Sequence, residues 1–265
     1  MGLAVCIASQ KGGVGKTTTA IHLAGALALA EKQTLLVDCD PQGHATTGMG
    51  VDKAGLSGSL YHAIMGQKPV KQLILDSQLA FLKILPACMT LLQVEAELVK
   101  SHGKEGLLKH LIGELSGAYD YIIMDTPPSM GLLTINAIAA ADLLIIPLQC
   151  EFFAVEGLCS QLSAIKCFKD KFNPGIKIAG ILFTMFEVEE PLTQKIAGEM
   201  RHQFNGNVFH TVIPRNAHFQ SAAAMGKPLF LKDIMSIGSR CYLELAKEFM
   251  ERWPLNDTIE YRLSV

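Results

Sequence analysis

Short apolar runs alternate along the chain with longer alanine- and leucine-rich or amphipathic stretches, and most runs end at polar or turn-forming residues. The short runs have the length of strands and the longer stretches the length of helices. Strands are predicted at 3–8, 34–40, 81–85, 119–125, 143–148, 178–184 and 208–213. Helices are predicted at 20–30, 56–65, 90–99, 106–115, 192–204 and 240–253.

This alternation predicts an α/β fold, a doubly wound and mostly parallel β-sheet with helices on both faces. Ligands of such sheets bind at the carboxyl ends of the strands. No proline- or serine-rich linker divides the chain, so we expect a single domain over residues 1–253. Residues 254–265 open with a proline and are rich in polar groups, which predicts a flexible C-terminal tail.

A glycine-rich segment, residues 9–19, joins the first predicted strand to the first predicted helix. Its backbone N–H groups and the start of the helix would form a cradle for phosphate groups. In the general G-x-x-x-x-G-K-[ST] pattern, Lys16 would reach the β- and γ-phosphates and Thr17 would coordinate Mg²⁺. The chain departs from that pattern at Gln10, where glycine is usual, and it carries a second lysine, Lys11. A glycine-rich turn that binds nothing is the alternative.

Two other predicted strands end in carboxylates, Asp38 and Asp40 in one and Asp125 in the other. An acid at the tip of a buried strand holds Mg²⁺ in P-loop nucleoside triphosphatases, commonly through water, and Asp125 has that position. The following loop, residues 126–131, is expected to sense the γ-phosphate. Asp38 and Asp40 precede a proline turn, and simple capping of that turn is an alternative for either residue.

Several motifs resemble one family. The loop K-G-G-V-G-K-T-T, residues 11–18, resembles the deviant Walker A motif of the ParA/MinD group of ATPases, with Lys11 as its signature lysine. D-C-D-P-Q-G resembles the group's Walker A′ segment, although His44 replaces the usual asparagine. The decapeptide at 149–158 and the P-R-N at 214–216 also match. The resemblance covers residues 2 to about 253 and is to the small, single-domain ParA/Soj type.

The resemblance implies an Mg²⁺-dependent ATPase that binds ATP and ADP and dimerises when ATP is bound. In that family, Lys11 would reach across the dimer to the partner's nucleotide, Lys16 would bind the phosphates of its own subunit, and Asp40 would orient the attacking water. The implied nucleotide-binding residues are Lys11, Gly12, Gly13, Val14, Gly15, Lys16, Thr17 and Thr18. The implied metal residues are Thr17, Asp40 and Asp125. The implied base-recognition residues are Pro214 and Asn216, for which a plain turn is the alternative.

The resemblance further implies binding of double-stranded DNA without sequence preference and a ParB-like partner that stimulates hydrolysis. We expect the protein in the cytoplasm, associated with the nucleoid when ATP-bound. By alignment, Glu189 and His218 stand where Soj-like relatives carry arginines that matter for DNA binding, so that contact cannot be inherited. The cations left as candidate replacements are Lys195, Arg201, Arg215, Lys227, Lys232 and Arg240.

Composition limits the kinds of partner and cellular location that we expect for this protein. A formal net charge of −2 gives no global basic field, so any DNA contact must come from a local patch. The seven cysteines are scattered without a C-x-x-C pair, which favours reduced thiols in the cytoplasm. The chain leads straight into its first strand, so we expect no signal peptide, and its apolar runs are too short for a membrane span.

Three other functions stay open. A ParA-like ATPase that positions another cargo would have much the same sequence. A MinD-like regulator would need a basic amphipathic C-terminal helix, whereas residues 240–253 carry Glu244, Glu248 and Glu251. A biosynthetic ATP-dependent ligase on the same fold would need a small-molecule pocket.

Overall fold

The computed structural model describes residues 2–98, 106–151, 153–204 and 206–255. Within these residues, seven strands form one sheet in the order β3-β4-β2-β5-β1-β6-β7. Neighbouring strands are parallel, except that β3 pairs antiparallel with β4 at one edge. The strands are β1 Leu3–Ile7, β2 Thr34–Asp38, β3 Leu75–Asp76, β4 Leu82–Leu85, β5 Tyr121–Asp125, β6 Leu143–Leu148 and β7 Lys177–Phe183. The doubly wound α/β fold expected from the alternation is confirmed.

Helices connect the strands and cover both faces of the sheet. They are α1 Lys16–Leu29, α2 His44–Gly48, α3 Leu60–Ile64, α4 Gln93–Leu98, α5 Leu107–Leu115, α6 Leu132–Ala140, α7 Ala154–Phe172, α8 Pro191–Gln203, α9 His218–Ala224, α10 Leu229–Lys232 and α11 Ile237–Arg252. Short 3-10 turns occur at Lys53–Gly55, Val70–Gln72 and Met89–Leu92. None of the helices within the described ranges combines the length and the apolar character that a membrane span requires.

Two hydrophobic cores lie on opposite faces of the sheet, as the alternation of side chains along a strand requires. In β1, Val5 and Ile7 face the core formed with α1 and α11, whereas Ala4 and Cys6 face the core formed with α3, α5, α6, α7 and α8. The central strands are buried on both faces, which explains their uninterrupted apolar sequences.

The prediction of a last strand at 208–213 is wrong. This segment meets β7 through an isolated bridge at Val208, and a second isolated bridge joins Pro214 to Phe186. Between them, the backbone N–H groups of His210 and Thr211 donate to the Glu248 carboxylate of α11, at 2.7 and 2.9 Å. The Phe209 and Ile213 N–H groups still donate to β7, at the Ile181 and Phe183 carbonyls. Because Glu248 takes the Thr211 N–H that lies between them, no continuous ladder forms.

The other differences concern one short strand and several helices. The predictions did not include β3, α2, α6, α7, α9 and α10. The helix predicted at 56–65 is shorter, since α3 begins after the extended Ser59, and the stretch 90–99 divides into a 3-10 turn and α4. Helix α6 follows the loop 126–131 and was not predicted. The last helix begins at Ile237, three residues earlier than expected, where Ser236 caps it by accepting from the Ser239 N–H. Most of the predicted tail, residues 256–265, lies outside the described residues.

A buried histidine fastens α1 to the segment that carries α9 to α11. His22 is 4% exposed, and its Nδ1 lies 2.7 Å from the Thr18 carbonyl, which accepts, so Nδ1 carries the proton. Its Nε2 accepts from the Leu229 N–H at 3.1 Å. The ring stacks on Tyr242 and meets Phe219 edge-on. Both nitrogens are therefore satisfied in the neutral form, and burial lowers the pKa of His22 to about 4.

We predict that His22 makes stability depend on pH. Its pKa is lower in the folded chain than the ordinary value of about 6.5, so its contribution is present above that value and is lost as pH falls toward 4. Between pH 7.5 and 5 the loss amounts to about 2 kcal/mol of unfolding free energy. Denaturant unfolding of the His22→Gln variant should show a pH dependence shallower by that amount. The exposed His110→Gln variant is the control, and equal slopes for parent and His22→Gln would contradict the assignment.

Candidate active site

The strand register brings the candidate residues together at one edge of the sheet. Asp38 and Asp125, the last residues of β2 and β5, lie opposite each other in the ladder, and Ile7 of β1 lies opposite Asp125 from the other side. The phosphate loop leaves β1 two residues later. Parallel strands end at a common edge, so the glycine loop and both carboxylates converge there.

The glycine loop has the backbone conformation of a phosphate cradle. Gly13 and Gly15 adopt φ values of +73° and +85°, which other residues rarely adopt, and α1 begins at Lys16. The loop is fixed from the far side, because the Thr184 hydroxyl donates to the Val14 carbonyl at 2.8 Å. This geometry directs the helix start toward the loop's concavity and favours an anion there.

Lys16 lies inside the loop. Its side chain is buried, and its ammonium donates to the Lys11 carbonyl at 3.0 Å. Burial lowers the pKa of Lys16 below its usual value, and the carboxylates of Asp125 and Asp40 partly offset this effect. A cation held in the cradle and facing two acids is available to bind phosphate oxygens.

Asp125 is completely buried, and neither of its carboxylate oxygens meets a donor at hydrogen-bonding geometry among the described residues. Burial, followed by the charges of Asp38 and Asp40, raises its pKa well above the usual value, while Thr17 and Lys16 act in the opposite direction. An unpaired buried carboxylate is costly unless a cation satisfies it. The site therefore fits a divalent metal beside Thr17.

Within the described part of the chain, no three His, Cys, Asp or Glu side chains form a cage for a metal. Magnesium does not need one, because it commonly uses one or two protein oxygens together with phosphates and water. A magnesium ion shared with a polyphosphate is therefore compatible with the side chains present.

Asp40 lies at the start of the loop between β2 and α2 and is 6% exposed. Its Oδ1 accepts from the Gln42 N–H at 2.9 Å, and its own N–H donates to Asp38 Oδ1 at 3.1 Å. Among the described groups, none donates to its second oxygen, Oδ2. The carboxylate is thus held by one oxygen and retains the other for a ligand or water.

Lys11 is placed differently from Lys16. It forms an ion pair with Glu151, which lies in the loop after β6, and both side chains are about half exposed. Its ammonium therefore points away from the loop that its own backbone helps to form. Exposed pairs of this kind contribute about 0–1 kcal/mol, so Lys11 can leave Glu151 at little cost.

Two adjoining cavities extend from the glycine loop. One has a volume of about 380 Å³ and is lined by Gly13, Lys16, Thr17, Asp40, Gln42, His44, Thr126 and Pro128, among others. The second, of about 350 Å³, is lined by Gly15, Thr18, Thr184, Pro214, Arg215, Asn216, Phe219 and Tyr242, among others. The first has the charged groups that a polyphosphate needs, and the second has the apolar and amide groups suited to a base.

Most candidate residues line these cavities, and Pro214 and Asn216 are among the lining residues of the second. The linings do not include Lys11, Gly12, Val14 and Asp125. Sequence reasoning missed Phe219 and Tyr242, because an aromatic residue on a helix usually belongs to the core. Thr184 was detectable, since it ends the predicted strand 178–184 at the ligand-binding edge.

The candidate DNA-binding cations are not equally free. Arg215 donates to the Glu187 carboxylate at 2.7 Å, which neutralises it, and Arg201 donates to the His210 carbonyl. The Lys232 ammonium donates to the Ser221 hydroxyl. Within the described residues, no ion pair to a carboxylate is formed by Lys195, Lys227, Lys232 or Arg240.

Comparison with known proteins identifies the chain's relatives. A family model described as an AAA domain (AAA_31) matches residues 3–178. The chromosome partitioning protein ParA of Myxococcus xanthus is 44% identical over 252 residues, which cover 95% of this chain and 89% of that protein. The sporulation initiation inhibitor protein Soj of Bacillus subtilis is 42% identical, with 94% and 98% covered.

Solved structures share the fold. The cobyrinic acid a,c-diamide synthase of Mycobacterium smegmatis, with bound ADP and magnesium, has a TM-score of 0.84 at 31% identity, with 96% of each chain covered. MinD of Pyrococcus horikoshii, complexed with Mg-ADP, has a TM-score of 0.76 at 22% identity, with 94% and 96% covered, which shows the fold alone. Since proteins named ParA and Soj are 44% and 42% identical to this chain over nearly its whole length, the chain belongs to the ParA/Soj family of chromosome- and plasmid-partitioning ATPases.

Proposed function

We propose that this protein hydrolyses Mg-ATP, dimerises in its ATP-bound state and binds DNA without sequence preference until hydrolysis releases it. A ParB-like partner would stimulate hydrolysis, and residues 1–253 would act as one domain in the cytoplasm, on the nucleoid when ATP is bound. The observation that carries the proposal is the different placement of two lysine side chains. Lys16 lies inside the cradle, whereas Lys11 lies at its rim and faces outward.

ATP and ADP fit the two cavities. The M. smegmatis relative was solved with ADP and magnesium, and with an ATP analogue and magnesium. In this chain, the loop N–H groups and Lys16 would bind the phosphates, and Pro214 and Asn216 would contact the base. Thr17 and Asp125 would hold the magnesium ion, with Asp40 nearby. Bound magnesium would neutralise charge that develops on the transferred phosphoryl group.

Asp40 has the geometry to orient water. Its Oδ1 is fixed by the Gln42 N–H, and Oδ2 remains free to accept a hydrogen bond from a water at the γ-phosphate. A positioned acceptor of this kind increases hydrolysis by aligning the water and receiving its proton. Lys16 would stabilise the phosphate charge from the same side as the loop.

Dimerisation would give Lys11 its function. In a face-to-face dimer, Lys11 would leave Glu151 and bind the partner's phosphates, where a cation stabilises the charge of the transition state. The triphosphate carries more negative charge than ADP, so it would hold the two subunits together more strongly. Hydrolysis would then weaken the dimer.

We predict that Lys11→Ala binds one Mg-ATP per subunit with affinity within about threefold of the parent, yet fails to dimerise and loses turnover by about 10²-fold or more. Light scattering with ATP and with ADP measures dimerisation, and phosphate release measures turnover. Lys166→Ala, a change at an exposed lysine of α7, is the control and should behave as the parent. One mass for parent and variant under both nucleotides would contradict the dimer.

Asp40→Ala should separate hydrolysis from binding. The variant keeps Lys16 and Thr17, so it should bind Mg-ATP and accumulate as the ATP-bound dimer. Its turnover should fall by about 10²–10⁴-fold, because the water loses its acceptor. Lys16→Ala should instead weaken nucleotide binding itself, as measured by titration with a fluorescent ATP analogue. Parental turnover in Asp40→Ala would show that another group positions the water.

DNA binding would depend on a few cations. The loop 187–190 contains Glu187, Glu189 and Glu190, which repel phosphates, and Glu187 also neutralises Arg215. Lys227 lies just before α10, and Lys232 is the last residue of that helix. Neither forms an ion pair with a carboxylate among the described residues. Their closeness in sequence would let them act together in place of the arginines that Glu189 and His218 replace, although Lys195 and Arg240 also have no carboxylate partner among the described residues.

We predict weak DNA binding that requires ATP and falls steeply with salt, with a log–log slope of about −0.9 for each phosphate neutralised. The Lys227→Ala/Lys232→Ala variant should bind a random duplex at least about tenfold more weakly and with a shallower slope. Lys109→Ala/Lys166→Ala removes two exposed lysines from the opposite face and should change little. If the parent shows no ATP-dependent binding at low salt, the acidic loop favours the other candidate, an ATPase that positions a different cargo.

A further inference from the structure

A buried chain of hydrogen bonds lies behind the Asp40 loop. Asp38 is completely buried at the end of β2, and its Oδ2 accepts from both the N–H and the hydroxyl of Thr46, at 2.8 and 2.7 Å. Its Oδ1 accepts from the N–H of Asp40 at 3.1 Å. One side chain, Asp38, therefore joins helix α2 to the backbone of the residue proposed to orient the water.

The direction of the Thr46 hydroxyl is fixed. The Ala87 N–H, in the segment after β4, donates to the Thr46 oxygen at 2.9 Å, so the hydroxyl is an acceptor on that side. Its single proton is then available for Asp38. Thr46 is itself completely buried, so water does not substitute for either contact in the folded chain. Three segments, those after β2, in α2 and after β4, are thereby held in one arrangement.

Other contacts also reach the loop between β2 and α2 that carries Asp40. The Cys39 N–H donates to the Asp125 carbonyl at 2.9 Å, and the Lys53 ammonium donates to the Gln42 carbonyl at 2.7 Å. The Asp40 side chain and carbonyl bond to the N–H groups of Gln42 and Gly43, both within the same turn. Those contacts shape the turn but do not fix its position relative to β4. The link through Asp38 and Thr46 supplies that position.

We propose that Thr46 is a positioning residue for hydrolysis, which holds Asp38 and through it the Asp40 backbone at the distance that the attacking water requires. It touches neither nucleotide nor water. The proposal rests on the proposed role of Asp40 and assigns a further residue to the same step. A misplacement of about 1 Å in such a site costs about 10²-fold in rate, which sets the expected scale.

The test compares Thr46→Val, which keeps the shape and removes the hydroxyl, with Thr46→Ser, which restores it. Thr46→Val should lose about 10–100-fold in kcat per nucleotide-binding site, while its affinity for the non-hydrolysable analogue AMPPNP stays within about threefold. Its affinity for Mg-ADP with aluminium fluoride, which mimics the transition state, should fall by the same factor as kcat. Thr46→Ser should recover most of both losses. Thr47→Val is the matched control. It removes a hydroxyl that, among the described residues, bonds only to the Gly43 carbonyl, four residues back in the chain, and leaves the Asp38–Thr46 link intact, so it should behave as the parent.

A merely structural role gives a different result. In that case Thr46→Val would unfold at a lower temperature and yield fewer binding-competent sites, yet each remaining site would turn over at the parental rate. That result, or equal losses of AMPPNP and aluminium fluoride affinity, would overturn the proposal. Asp40→Ala separates the proposal for Thr46 from the proposal for Asp40. If Asp40→Ala loses turnover while Thr46→Val does not, the role of Asp40 stands and that of Thr46 fails.

Discussion

The structure depends on placing carboxylates at the carboxyl edge of a parallel sheet. The register of β2, β5 and β1 puts Asp38, Asp125 and the glycine loop side by side, and among the described residues no donor meets the buried Asp125 oxygens at hydrogen-bonding geometry. An unpaired buried carboxylate destabilises the folded state. Cations that pair with it offset this cost. Lys16 is one such cation within the chain, and the chemistry of the remaining oxygens suits magnesium. Binding of Mg-ATP would therefore stabilise the folded state as well as occupy the site.

Much of this arrangement could be predicted from the sequence, because local signals and sheet geometry agree. The apolar runs end at Asp38 and Asp125, and parallel pairing alone brings such ends together. The segment 208–213 could not be predicted in the same way. It has the composition of a strand, but Glu248, 37 residues beyond Thr211, takes the Thr211 N–H that lies between two backbone bonds to β7. A competition between a ladder and a distant side chain leaves no local pattern.

The site residues also fall into two groups, those that a sequence motif predicts and those that only the tertiary structure reveals. Lys16, Thr17 and Asp40 belong to a short motif, and their positions follow from it. Phe219 and Tyr242 reach the second cavity through the packing of α9 and α11 against α1, and they also surround His22. Their sequence signal is that of ordinary core aromatics. Only the tertiary structure distinguishes them from other core aromatics, because it places both rings in the lining of the second cavity.

The elements that border the two cavities are held by different means. Beside the second cavity, α9 to α11 are joined to α1 through His22, whose ring accepts from the Leu229 N–H and packs against Tyr242 and Phe219. Beside the first cavity, the loop that carries Asp40 is held through Asp38 and Thr46 by hydrogen bonds. Close packing resists changes of volume, whereas a hydrogen bond weakens steeply once its geometry is lost. If the first cavity holds the phosphates and the second the base, as proposed, the placement of the attacking water depends on bond directions, whereas that of the base depends on packing as well.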